Sequence, residues 1–325
     1  MSLRIHFTCD DLARTIVAPE PDPLWEVLLS LHLLQTNDDQ PLFGRWRRHV
    51  RRRLQASDRQ LLDLAPPDGY SPDFLTPPES ADGFEEGLAA IEQTPTARLA
   101  AELARLVGRG QLSTWMRSLA TGDSTARREL VDGIRRYHRV AVAPYWAAIR
   151  REVHRDLASR SRAALTAGFT GFAGQLHPDI RWSPPRLEVR AGRTDRDIDL
   201  AGRALRIVPS IFCRQHPIML GDPRLPQVLV YPVDPDPTWV DEQARGLARD
   251  GRALAALLGR TRAAVLGSVA ENGCSTSELA RRLGISAASA SEHASVLHQA
   301  GLIRTYRVGA AVRHTLSPTG AELVP

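Results

Sequence analysis

The sequence predicts a mainly α protein with small β elements (α+β): a helix-rich N-terminal domain holding a small antiparallel sheet, and a compact C-terminal domain. Three observations lead there. Apolar residues recur at helical spacing over most of residues 22–174. Between 186 and 233 the chain breaks into short alternating or apolar runs divided by Gly, Asp and Pro. After the stretch "PVDPDP" (232–237), a candidate hinge, short capped helices return and end in one more pair of alternating runs. The chain of 325 residues is long enough for two cores, and the domains are expected at 1–237 and 238–325.

Taken in order, "LRIHFT" (3–8) alternates and predicts a short strand. "DPLWEVLLSLHLLQ" (22–35) predicts a helix, with Asp22 as N-cap and Pro23 at the first helical position, where its missing N–H costs nothing. "PLFGRWRRHVRRRLQAS" (41–57) predicts another, with Trp46, Val50 and Leu54 as its apolar stripe. The Pro-rich segment 65–80 predicts a loop. Residues 81–174 predict helices broken near 93–96, 108–110 and 121–123, with one long helix after Arg139 bent near Pro144.

Hydrophobic residues make up 43%, which excludes a disordered chain. The net charge is +5, of which residues 251–325 carry +4, from 8 Arg against 4 acids. A basic tail domain on a nearly neutral body points to an anionic partner, although such a face is often only solvated. Cys9, Cys213 and Cys274 are far apart and odd in number, which fits a reducing compartment rather than a disulfide framework. The N-terminal residues lack a signal-peptide apolar run, and no segment approaches the ~20 apolar residues of a membrane span. A cytoplasmic chain, nucleoid-associated when bound to DNA, is the expectation.

The C-terminal domain is the most regularly patterned. In "GRTRAAVLGSVAEN" Ala263, Leu266 and Ala270 lie at helical spacing, and Asn272-Gly273 ends the run. Ser275 and Glu278 have the spacing of a capping box. They open a helix with Leu279, Ala280 and Leu283 inward. Gly284 then permits a tight turn, and Ser286 caps a helix over about 287–300. Two short helices joined through a glycine turn are a helix-turn-helix. Ala290, Ala294 and Leu297 face its partner helix, leaving Ala287, Ser289, Ser291, Glu292 and His293 on or beside the outward face. Ser can donate to or accept from a base edge, and Ala can meet a thymine methyl. Two alternating runs over about 302–316 then form a hairpin wing. It carries Arg304, Arg307 and Arg313, placed for phosphate or minor-groove contact.

These last residues resemble an ArsR-type winged helix-turn-helix transcriptional regulator, in the large form with an extra N-terminal domain found in high-GC bacteria. The resemblance covers about the last 75 residues and rests on "STSELARRLGISAASASEHASVLHQAGLI" and "RVGAAVRHTLSPTG". It implies recognition-helix roles for Ser286, Ser289, Ser291 and His293, and wing roles for Arg307 and Arg313. Metal-sensing members carry a Cys-x-Cys type site on the first helix of the motif. Here that helix reads "SELARRL", so a thiolate metal site there is not expected.

Other candidates each have a plainer alternative. The six Arg of "RWRRHVRRR" (45–53) are a second phosphate surface or, preferably, the solvated face of an amphipathic helix. Cys213 and His216 lack the partners that zinc requires. Cys274 is a possible oxidation sensor or, preferably, a small partly buried residue. Asp195, Asp197 and Asp199 are cation or acid–base groups or, preferably, the polar face of an edge strand. His138, His154 and His177 form no ligand cluster. Trp115, Tyr137, Tyr145 and Trp146 line an effector pocket or, preferably, form core.

The expectation is a sequence-specific, dimeric DNA-binding repressor without enzymatic activity, metal or cofactor. Its partners are double-stranded DNA, a second copy of itself and, at the N-terminal domain, a small-molecule effector. The alternatives are an enzyme or a protein-interaction scaffold in the N-terminal domain, with the winged helix as a regulatory tail.

Overall fold

Leu3 and Ile5 alternate with Arg4 and His6, and the segment forms strand β1 (Leu3–His6) with the two apolar residues buried. In the computed structural model, residues 2–55, 58–108, 110–190, 195–240, 254–272, 274–308 and 311–323 are described. They fall into two units, Met1–Val240 and Asp241–Pro325.

After β1 come α1 (Cys9–Arg14) and β2 (Ile16–Val17). α1 opens with a reciprocal capping box between Thr8 and Asp11, a signal present in the sequence as T-x-x-D. α2 (Pro23–Gln35) is started by Asp22, whose carboxylate accepts from the N–H groups of Leu24 and Trp25 at 3.2 and 3.3 Å. Every residue from Pro23 to Leu31 is buried, so α2 is enclosed on all sides. Its Glu26 is fully buried and accepts from Ser210 Oγ and from the N–H groups of Ile211 and Phe212. Burial still pushes that carboxyl up to about 7.

α3 (Gln40–Arg51) buries Trp46 and Val50 completely, and Leu54 is half-buried, as the stripe predicts. The solvated face holds for Arg48, Arg52 and Arg53. Arg47 departs from it. It is 1% exposed, and its guanidinium donates to the carbonyls of Leu33, at 2.8 Å, and Asp38. Arg51 reaches Leu34 O at 2.6 Å. These arginines satisfy the open carbonyls at the end of α2. α4 (Arg59–Leu64) follows, and the expected loop 65–80 contains two 3₁₀ turns, Asp73–Leu75 and Pro78–Ala81.

α5 (Phe84–Glu92), α6 (Thr96–Val107), α7 (Thr114–Ala120) and α8 (Ser124–Ala141) break where the turn residues predict. The single long helix expected after Arg139 is divided instead. α8 stops at Ala141, the turn Ala143–Tyr145 intervenes, and α9 (Trp146–Ala173) starts afresh. Pro144 removes the N–H that a continuous helix would need there. α9 is itself kinked at Ala167 and Gly168, the latter with φ +58.

The expected small antiparallel sheet is replaced by two mixed four-stranded sheets. β3 (Ile180–Ser183), β4 (Arg186–Val189) and β5 (Arg196–Asp199) join β1 in the order β3-β4-β1-β5, with β1 and β5 parallel. β6 (Leu205–Ser210), β7 (Ile218–Met219) and β8 (Gln227–Pro232) join β2 in the order β2-β6-β8-β7. β2·β6 and β6·β8 are parallel. The signal was that "ALRIVPSIF" and "QVLVYPV" are continuous apolar runs, as parallel strands buried on both faces are.

The stretch 232–237 is docked rather than hinged. Asp236 N–H donates to Glu152 at 2.9 Å, and Trp239 is fully buried among Phe43, Tyr145 and Phe212. The first unit therefore runs past residue 237 to Val240.

In the second unit, α10 (Arg260–Asn272), β9 (Cys274–Ser275), α11 (Thr276–Leu283) and α12 (Ala287–Gln299) precede a hairpin of β10 (Ile303–Val308) and β11 (Ala311–Leu316), then α13 (Pro318–Leu323). The core is Val265, Leu266, Val269, Leu279, Ala290, Ala294, Leu297 and Ile303 with their neighbours. On α10 it is Val265 and Val269, rather than Ala263 and Ala270, that go in with Leu266, because the larger side chains remove more apolar area from water. Residues 241–253 lie outside the described residues, as do the Gly273 cap and the wing residues 309 and 310.

Candidate nucleic-acid interface

The helix-turn-helix is built by three local devices. Ser275 Oγ accepts from Glu278 N–H at 3.2 Å and starts α11. The return half of the expected capping box is absent: Glu278 turns outward to Arg282 at 2.6 Å, because a guanidinium one turn on outbids a backbone N–H. Gly284 ends α11 at φ +64, ψ +31, a region closed to most side chains. Ser286 Oγ then accepts from Ser289 N–H at 3.1 Å and starts α12.

α12 buries Ala290, Ala294 and Leu297. The opposite face is exposed at Ala288, Ser291, Glu292 and Ser295, with Ser286 and Ala287 exposed at the helix start. Ala288 and Ser295 were passed over in the sequence, although the inward spacing of 290, 294 and 297 already points the other way, at them. Ser289 and His293 are half-buried on the flank of the helix, with Ser289 Oγ 3.3 Å from His293 Nε2. Ser286 spends its oxygen on the cap, and its hydroxyl hydrogen remains able to donate.

The wing register sorts the arginines. Tyr306 lies opposite Arg313, and Arg304 opposite Thr315. Since side chains alternate, Arg304, Tyr306 and Arg313 share one exposed face, and Arg307, opposite Val312, lies on the other. Tyr306, 46% exposed between two arginines, is a further candidate on this face that the sequence reading missed. The wing is anchored through His314, which is 4% exposed and lies 3.0 Å from both Thr276 Oγ1 and Thr305 Oγ1. Burial holds its imidazole below its ordinary value, so the neutral form joins the start of α11 to β10. β9 pairs with β11 at Ser275 and Cys274, which places the motif and its wing on one frame.

The remaining candidates resolve into structure. Cys213 and Cys274 are buried. Cys213 Sγ donates to His216 O, and burial pushes the thiol up. Asp197 pairs with Arg4 at 3.1 Å and His6 at 2.8 Å on the exposed side of edge strand β5. Tyr137 and Tyr145 are core; Trp115 and Trp146 are partly buried against it. Among the described residues no group of three or more His, Cys, Asp or Glu is placed to hold a metal ion, and no helix is long and apolar enough to cross a membrane.

Residues 258–311 match the family model described as the MarR family. No curated protein and no solved structure matches the chain. The match covers the helix-turn-helix and the first strand of the wing. It supports a winged helix-turn-helix regulator and names a different family from the ArsR-type resemblance. The second unit is accordingly the DNA-binding part of a transcriptional regulator.

Proposed function

We propose that the protein is a sequence-specific, homodimeric repressor of the large ArsR-like kind, acting in the cytoplasm on nucleoid DNA, with a first unit that carries no catalysis. The observation behind this reading is the outward face of α12. It is slim and built from Ala288, Ser291 and Ser295, and the same unit carries a wing with Arg304 and Arg313 on one face. Such a helix fits the major groove of B-DNA, about 12 Å wide, and its hydroxyls can meet base edges. The wing arginines hold phosphates and give a salt-dependent affinity. In a dimer the two recognition helices enter successive grooves about 34 Å apart. Glu292 repels phosphate and accepts from a cytosine amino group, so it contributes selection rather than affinity.

The test is an anisotropy titration of the full-length protein on its own upstream intergenic DNA, at two salt concentrations, with random DNA as competitor. Binding that survives competitor and weakens with salt is expected. Absence of binding even at low salt sinks the reading.

A further inference from the structure

The first unit holds a cavity of about 310 Å³, walled by α2, the turn-rich segment before Thr76, the β7 region and the first sheet. That is the low end of the range for small-ligand sites, which are typically apolar with a few placed polar groups, about 300–1,000 Å³. Trp25, Leu28, Leu29 and Met219 supply much of the apolar wall.

Its polar groups are unequally provided for. His32 shares a 2.8 Å hydrogen bond with Ser71, and burial holds it down to about 4, so it is neutral. Asp73 accepts from Gly221 N–H at 2.8 Å and from the Tyr70 hydroxyl at 3.3 Å. Arg196 differs. Its Nη2 is buried without a hydrogen-bond partner, and among the described residues no carboxylate pairs with its side chain. The Thr76 hydroxyl, on a residue 3% exposed, is also buried without a partner. Such groups are costly, more so when charged, and native interiors seldom leave them open. Here two belong to residues lining one cavity.

We propose that this cavity is the effector site of the regulator and takes a small apolar molecule bearing a single carboxylate. Arg196 faces the acid group, Thr76 offers a second hydrogen bond, and Trp25, Leu28 and Met219 hold the apolar body. A phosphate would need several cationic donors; the lining supplies one charged cation and an internally paired aspartate. The volume suits a body of about ten non-hydrogen atoms. The effector role rests on the regulator reading above; the binding site does not.

The experiment is isothermal titration calorimetry on the full-length protein with octanoate and phenylpropionate, and with octanamide as the uncharged counterpart. Both acids should bind, and octanamide at least about tenfold more weakly, the scale of one charge-assisted hydrogen bond. Arg196→Gln should weaken the acids by about tenfold or more, and Thr76→Val by several-fold, with melting temperatures showing both variants folded. No heat from either acid, equal affinity for octanamide, or indifference to Arg196→Gln in a folded protein overturns the site. A parallel DNA titration with and without octanoate separates the two readings. Octanoate binding that leaves DNA affinity unchanged keeps the cavity and removes the effector role. Failure to bind DNA at all sinks the regulator and leaves the calorimetry standing.

Discussion

The wing shows how one residue's face decides its use. Arg304 and Arg313 share an exposed face with Tyr306, whereas Arg307 is turned the other way. Arg304→Ala combined with Arg313→Ala should lower the slope of log affinity against log salt by about 4 for the dimer, roughly one per phosphate contact with two lost in each chain. Affinities measured at four salt concentrations check this, and an unchanged slope would remove the wing from the interface. Titratable residues make a second case. His138 is stacked on Phe84, with ring centroids 3.9 Å apart, and burial holds it down to about 4. Its proton is then bound more tightly by the unfolded chain. The stability it contributes is present above pH 6.5 and lost as pH falls toward 4. Between pH 7 and pH 5 the wild type should lose about 2 kcal/mol more than His138→Leu in urea denaturation. Glu26, pushed up to about 7, has the opposite sign, but it is common to both proteins and cancels. Equal losses would mean that the imidazole is hydrated.

At the scale of elements, helix ends account for much of what the eye skips in the sequence. Asp22, Ser275 and Ser286 are caps that a sequence reveals, because the cap bond reaches only two or three residues along the chain. The end of α2 is closed by Arg47 and Arg51 from the next helix; spacing places Arg47 beside the apolar stripe, four residues after Phe43, but the run "RWRRHVRRR" does not show that its guanidinium ends on the carbonyls of α2. Arg47→Leu should therefore cost about 1–3 kcal/mol of stability by removing the charge-assisted hydrogen bonds to the carbonyls of buried Leu33 and of Asp38, whereas Arg48→Leu should be near neutral. Chemical denaturation of the two variants side by side decides it. Similar, small losses would return Arg47 to the solvated face.

For the whole molecule, the proposed dimer has a direct consequence. Sedimentation with and without a labelled operator should show two chains per duplex, and footprints should protect two half-sites one helical turn apart, about 34 Å. A single chain on a single half-site would refute the symmetric arrangement. The winged unit and its candidate interface were legible in the sequence because caps, turn glycine, inward alanines and hairpin alternation are local signals. Each lies within a few residues of what it controls. That same locality made the mixed sheets opaque. β1 beside β5 joins residues more than 190 apart (Leu3 with Arg196), and no short-range pattern encodes which distant strand a strand will meet. The cavity was opaque for the same reason, since Trp25, Thr76, Arg196 and Met219 come together only when α2, the turns and both sheets have packed. The sequence by itself determined most of the helices, the caps at Asp22, Ser275 and Ser286 and the helix-turn-helix motif, whose energetics are near-neighbour. Only the tertiary structure decided strand partners, which arginines are buried and where a small molecule fits, because burial is a property of the packed chain.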